Sequence, residues 1–94
     1  LEELRSYKPQ LLEIAARYGV SNIRVFGSVA RGDADENSDI DLLIDMEKGR
    51  SLFDWVRCKR EMEEAVGTKV DLVELPAITI QELRSRILSE ANPL

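Results

Sequence analysis

The stretch FGSVARGDADENSDIDLLID, residues 26–45, decides how this chain folds. It reads as the end of one strand, a Gly-Ser turn, a polar loop and a second strand. Six acidic side chains fall between Asp33 and Asp45, of 18 in the whole chain. Like charges this dense repel one another, so they form either a solvated turn or a site that holds a cation.

The second strand, predicted over 39–46, alternates between an apolar face and an acidic face. Asp39 and Asp41 leave from the acidic face, with their Cα atoms about 6–7 Å apart. Asp is disfavoured inside strands, and two converging carboxylates are typical ligands of Mg²⁺. Asp45 shares this face but lies about 13 Å from Asp41, so we expect it to face solvent or form a salt bridge.

Two further segments complete the candidate site. Asp71 lies in a later strand predicted over 69–74, where Val70 and Leu72 should face the core and turn the carboxylate outward. Gly27-Ser28 ends the first strand before a helical turn, which presents backbone N–H groups and a hydroxyl suited to a phosphate. A Gly-Ser pair is a weak signal alone, and it becomes much stronger ten residues before the two aspartates.

The pattern of the remaining sequence predicts helices packed on a small mixed sheet, which is an α/β (α+β) fold with the element order α-β-β-α-β-α. The first 18 residues are largely helical, and Pro9 is an early position of a second helix running to Gly19. The other predicted elements are a strand at 22–26, a short helical turn at 28–31, a helix from the Ser51 cap to Gly67 and a last helix at 79–89. The residues expected on inward helix faces are Leu52, Val56, Met62 and Val66 in the long helix, and Ile80, Leu83, Ile87 and Leu88 in the last.

Composition limits the possible chemistry. At 94 residues the chain is expected to be one domain, 1–94, and its lack of histidine excludes histidine triads and histidine-ligated zinc. A net charge of −5 argues against autonomous nucleic-acid binding. Cys58 is the only cysteine, which fits a reducing, cytoplasmic setting. No segment is expected to span a membrane, and no signal-peptide pattern opens the chain.

The runs FGSVARG at 26–32 and SDIDLLI at 38–44, with Asp71 on a later strand, resemble a known family signature. It is that of the DNA polymerase β-like nucleotidyltransferases, with their palm fold. The closest resemblance is to the minimal nucleotidyltransferases (MNT), which include the antitoxins of HEPN/MNT toxin–antitoxin pairs.

This resemblance implies roles for particular residues. Asp39 and Asp41 would ligate two Mg²⁺ ions, and Asp71 would hold the catalytic one. Gly27 and Ser28 would hold the β- and γ-phosphates of ATP. A hydroxyl, expected on a HEPN toxin, would attack the α-phosphate and receive AMP.

Other interpretations stay open at this point. Arg31 could reach a phosphate or pair with a loop acid, while Asp33, Asp35 and Glu36 fit a solvated loop. The protein could be a binding-only antitoxin that occludes its toxin, or it could transfer a nucleotide to a small molecule.

Overall fold

The computed structural model describes residues 2–33, 38–74, 76 and 78–94, and it shows a mixed sheet with helices on both faces. The helices are α1 Glu2–Arg5, α2 Lys8–Arg17, α3 Gly27–Arg31, α4 Leu52–Val66 and α5 Gln81–Glu90. The strands are β1 Val20–Phe26, β2 Ile40–Met46, β3 Val70–Glu74 and β4 Asn92–Pro93. The predicted α+β class is confirmed, whereas the predicted loop acids Asp35 and Glu36 lie outside the described residues.

The sheet has the strand order β3-β2-β1-β4. β2 and β3 are parallel and are joined through α4, while β1 runs antiparallel to both of its neighbours, β2 and β4. The short strand β4 was not predicted from the sequence. Two residues that include a proline carry no alternating pattern, so this strand exists because the chain end pairs with β1.

The main hydrophobic core lies between one face of the sheet and helices α2 and α4. Ile40, Leu42 and Ile44 of β2 all point into it and are buried. The opposite face of β2 carries the aspartates and also Leu43, which is fully buried in a second, smaller cluster with Phe26 and Ile87 of α5. Helix α5 therefore packs on the same face of the sheet as the aspartates.

Helix ends follow the local sequence signals. Ser51 and Asp54 form a capping box at the start of α4, and Gly67 ends that helix with φ 77° in the left-handed region. Pro9 occupies the first turn of α2, as predicted, where its missing N–H leaves no bond unmade. Among the described residues, no helix is both long and apolar enough to cross a membrane.

The predicted inward faces of the two later helices were partly wrong. In α4, Leu52 is 73% exposed and Val56 37% exposed, against the prediction. Met62 is buried and Val66 packs partly buried against the core, as predicted, and Cys58, which was not predicted, is buried too. In the first turn of α4 it is Trp55 that packs on the core and donates a 3.1 Å hydrogen bond to the Leu72 carbonyl oxygen, while Leu52 is not part of that core.

The same correction applies to α5. Ile87 is its buried residue, whereas Ile80, Leu83 and Leu88 are exposed. A single helix lying on the small second cluster has only a narrow contact, so a wider apolar stripe cannot all be buried.

Candidate active site

The parallel pairing of β2 and β3 brings two of the predicted carboxylates side by side. Asp41 and Asp71 are direct partners in the strand register, and their side chains are near enough to share a hydrogen bond when one carboxyl group is protonated. Val70 and Leu72 are buried and Asp71 is exposed, as the alternation predicted. On its other side, Asp41 pairs with Phe26, the residue immediately before Gly27.

The electrostatics of this group centre on Asp41, which is partly buried. Burial raises the pKa of Asp41 above its ordinary value, and the charges of Asp71 and Asp39 and the hydrogen bond with Asp71 raise it further. Arg31 acts in the opposite direction. A low-dielectric setting and neighbouring like charges both disfavour the ionised carboxylate, so a bound cation would relieve the repulsion.

Gly27 packs directly against Asp41. Its φ is 74°, and a β-carbon built at this position would collide with Asp41 Oδ2 and lie 3.2 Å from Cγ. Only glycine combines this backbone conformation with so close an approach to the carboxylate. The turn of Gly27 and Ser28, which opens the five-residue helix α3, is therefore placed at the edge of the carboxylate pair.

Asp39 and Asp45 take different positions around this pair. Asp39 is exposed and lies just before β2 begins at Ile40, near enough for its charge to raise the pKa of Asp41. Asp45 is salt-bridged as expected, with Oδ1 3.4 Å from Arg24 Nη2 and Oδ2 accepting a 3.0 Å hydrogen bond from Asn22.

Arg31 stands at the end of α3 and contacts two acids. Its Nε lies 3.3 Å from Asp33 Oδ2, so the pairing with a loop acid left open from the sequence is present. Its Nη1 lies 3.2 Å from Oε2 of Glu90, at the end of α5. Sequence reasoning missed Glu90, because no local signal connects residues 59 positions apart.

No preformed metal site appears within the described parts of the chain, where no three acidic or thiol side chains are grouped closely enough to bind an ion. A groove of about 670 Å³ lies elsewhere, at the carboxyl ends of β2 and β3, lined among others by Met46, Trp55 and Glu74. Asp41 lies five residues back along β2 from Met46, so the groove is separate from the carboxylates.

Comparison with known proteins defines the family to which this chain belongs. The chain belongs to the nucleotidyltransferase domain family, which it matches over residues 8–93. It is 45% identical to a solved structure provisionally described as a minimal nucleotidyltransferase, with a TM-score of 0.86 and coverage of 99% of this chain and 94% of that one. The predicted resemblance to minimal nucleotidyltransferases is confirmed.

Two relatives that are named as enzymes indicate the class of this chain. A Methanocaldococcus jannaschii protein provisionally named a protein adenylyltransferase is 40% identical over 88 residues, covering 94% of each chain. The protein adenylyltransferase MntA of Thermococcus cleftensis is 43% identical over 77 residues, covering 78% of this chain and 75% of its own length. This protein is accordingly a nucleotidyltransferase.

A more distant structure shares the fold. A toxin–antitoxin crystal structure with AMP-PNP is 20% identical, with a TM-score of 0.75 and coverage of 99% of this chain and 72% of that one.

Proposed function

We propose that residues 1–94 form a single Mg²⁺-dependent nucleotidyltransferase domain that moves AMP from ATP to a hydroxyl group of a partner protein. The observation that carries this proposal is the register of Asp41 with Asp71, directly beside the tight Gly27 turn. The relatives named protein adenylyltransferases support a protein acceptor.

The carboxylates fit Mg²⁺ by their chemistry. Asp39, Asp41 and Asp71 offer only oxygen atoms, which Mg²⁺ prefers, and the ion usually keeps waters and substrate phosphates in its shell. Burial first, and then the negative charges of Asp71 and Asp39, raise the pKa of Asp41, and a divalent cation would offset that negative charge. When bound, two Mg²⁺ ions would neutralise charge on the triphosphate and lower the pKa of the attacking hydroxyl.

The neighbouring turn supplies the proposed nucleotide contacts. Gly27 allows the backbone to approach the β- and γ-phosphates closely, and Ser28 offers a hydroxyl donor. Arg31, half exposed at the end of the same turn, adds a cation that suits a phosphate.

The proposed reaction is an in-line displacement at the α-phosphate. The acceptor oxygen forms a new bond to the α-phosphorus, and the bond between that phosphorus and the oxygen bridging to the β-phosphate breaks. Pyrophosphate leaves, AMP stays on the acceptor, and Asp71, exposed at the edge of the pair, takes the hydroxyl proton.

We further propose that the acceptor is the HEPN-type toxin of a toxin–antitoxin pair, in the cytoplasm. The similar fold of an antitoxin-containing complex with AMP-PNP supports this choice. The acidic chain, with a net charge of −5, is poorly suited to hold an RNA or DNA end as acceptor. Specificity would then come from docking of the partner protein.

The test combines the protein, Mg²⁺, ATP and the product of the neighbouring gene, the proposed toxin, and measures AMP on that product by intact mass. We expect transfer in the wild type and its loss in Asp41→Asn and Asp71→Asn. Asp45→Asn is the matched control, because it removes the same charge from the same strand face at a salt-bridged surface position. Toxin neutralisation without AMP transfer would instead establish a binding-only antitoxin.

A further inference from the structure

Arg31 is directed toward the proposed phosphate site by helix geometry. It follows Ser28 by three residues and Gly27 by four, so all three lie on one face of α3. Long side chains in a helix lean toward its N-terminus, over the preceding turn. The guanidinium contacts Asp33 and Glu90, and it is near enough to the carboxylate pair for its charge to act on Asp41. A nucleotide phosphate bound at the Gly27–Ser28 turn would lie within the sequence spacing that one helical turn brings together.

Glu90 is a fixed anchor for that guanidinium. It ends α5, where Ile87 is buried against Phe26, and the next residues enter β4, with Asn92 paired to Val25. The carbonyl oxygen of Glu90 accepts a 3.1 Å hydrogen bond from the Asn92 side chain. The C-terminal segment is thus held against β1, the strand that leads into Gly27.

The two oxygens of the Glu90 carboxylate have different partners. Oε2 lies 3.2 Å from Arg31 Nη1, and Oε1 lies 3.8 Å from Arg86 Nε. Asp33 holds Arg31 from the other side, at Nε. A flexible arginine carries about 2 kcal/mol of rotamer entropy, so two anchors reduce what nucleotide binding has to immobilise.

We propose that Glu90 is a positioning residue, which holds Arg31 beside the triphosphate and so strengthens nucleotide binding. This inference rests on the proposed function of the same site. Glu90 acts through Arg31 and touches no substrate itself.

The experiment measures the dissociation constant of ATP with Mg²⁺ by calorimetry, together with kcat and KM for AMP transfer. Glu90→Gln should raise the dissociation constant and KM about two- to fivefold with kcat nearly unchanged, as expected for loss of a partly exposed ion pair. Glu82→Gln is the matched control, since it removes the same charge from the first turn of the same helix.

The loss of a negative charge would, by itself, change ATP affinity in the opposite direction. Removing an acid from an acidic protein should favour an anionic ligand slightly, for Glu82 and Glu90 alike. Weaker binding in Glu90→Gln only, and no further weakening when it is added to Arg31→Gln, would establish the positioning role. Unfolding midpoints of the variants check that each is folded.

Several results would overturn the inference. One is unchanged or tighter ATP binding in Glu90→Gln. Another is that Glu90→Gln weakens ATP binding equally in the wild type and in Arg31→Gln. Wild-type protein that binds no ATP would refute the nucleotide site and this inference together. Glu90-dependent ATP binding without AMP transfer to any protein would refute only the proposed reaction.

Discussion

Replacing Gly27 by alanine tests how the tight turn supports the carboxylate pair. The glycine has a φ of 74°, and an added β-carbon would collide with Asp41 Oδ2. The backbone of Asp41 is paired with strands on both sides, so the carboxylate itself has to rotate away. We therefore expect Gly27→Ala to move one of the proposed metal-binding groups while the fold remains.

The free-energy cost of Gly27→Ala has two parts. An alanine in the left-handed region costs about 1–2 kcal/mol. Turning Asp41 from its preferred rotamer adds about 0.5–1.5 kcal/mol. The unfolding midpoint shifts by roughly 4–8 °C per kcal/mol in a domain of this size. The cost of turning Asp41, taken without the backbone cost, therefore lowers the midpoint by about 2–12 °C. A carboxylate displaced by about 1 Å can lower transfer on the order of 100-fold.

Gly49→Ala is the control, because Gly49 has a φ of 86° and open space around the added β-carbon. It should show the backbone cost alone, with AMP transfer close to that of the wild type. Thermal unfolding by circular dichroism and initial transfer rates measure both effects. Wild-type transfer in Gly27→Ala, or an equal loss in Gly49→Ala, would refute the reasoning.

Three further predictions concern the core and helix α4. Burial raises the pKa of the Cys58 thiol to about 11, so iodoacetamide should modify Cys58 at pH 8 only after unfolding. The contribution of the buried thiol to the free energy of unfolding should fall as pH rises from about 9 to about 11, because the thiol ionises first in the unfolded chain. Hydrogen bonds from Lys59 in α4 and from the backbone N–H of Val70 in β3 lower the pKa of Glu63. Glu63→Gln should therefore lower the free energy of unfolding, measured in urea at pH 7, by about 0.5–1 kcal/mol. That loss should shrink as pH falls below the ordinary value of 4.5, and the exposed Glu64→Gln should show none of it. Met62→Ala should cost about 2–5 kcal/mol and Leu52→Ala under about 0.5 kcal/mol, and equal losses would contradict the observed face of α4.

Local signals predicted much of the fold because their causes lie within a few residues. The alternation in β2 and β3 and the Ser51 and Gly67 caps of α4 were all found from sequence. Helix faces were less well predicted, since hydrophobic spacing shows where apolar side chains lie but not whether another element covers them. Leu52 and Leu83 are exposed for that reason.

The candidate site divides in the same way. By itself, the sequence determined the strand on which Asp41 stands, the outward direction of Asp71 and the glycine that ends β1, because period-two alternation and backbone freedom are local properties. Only the tertiary structure decided the register that pairs Asp41 with Asp71, the contact of Gly27 with Asp41 and the link from Arg31 to Glu90. These contacts join distant parts of the chain, and they exist only once the parallel strands and α5 have packed on one sheet.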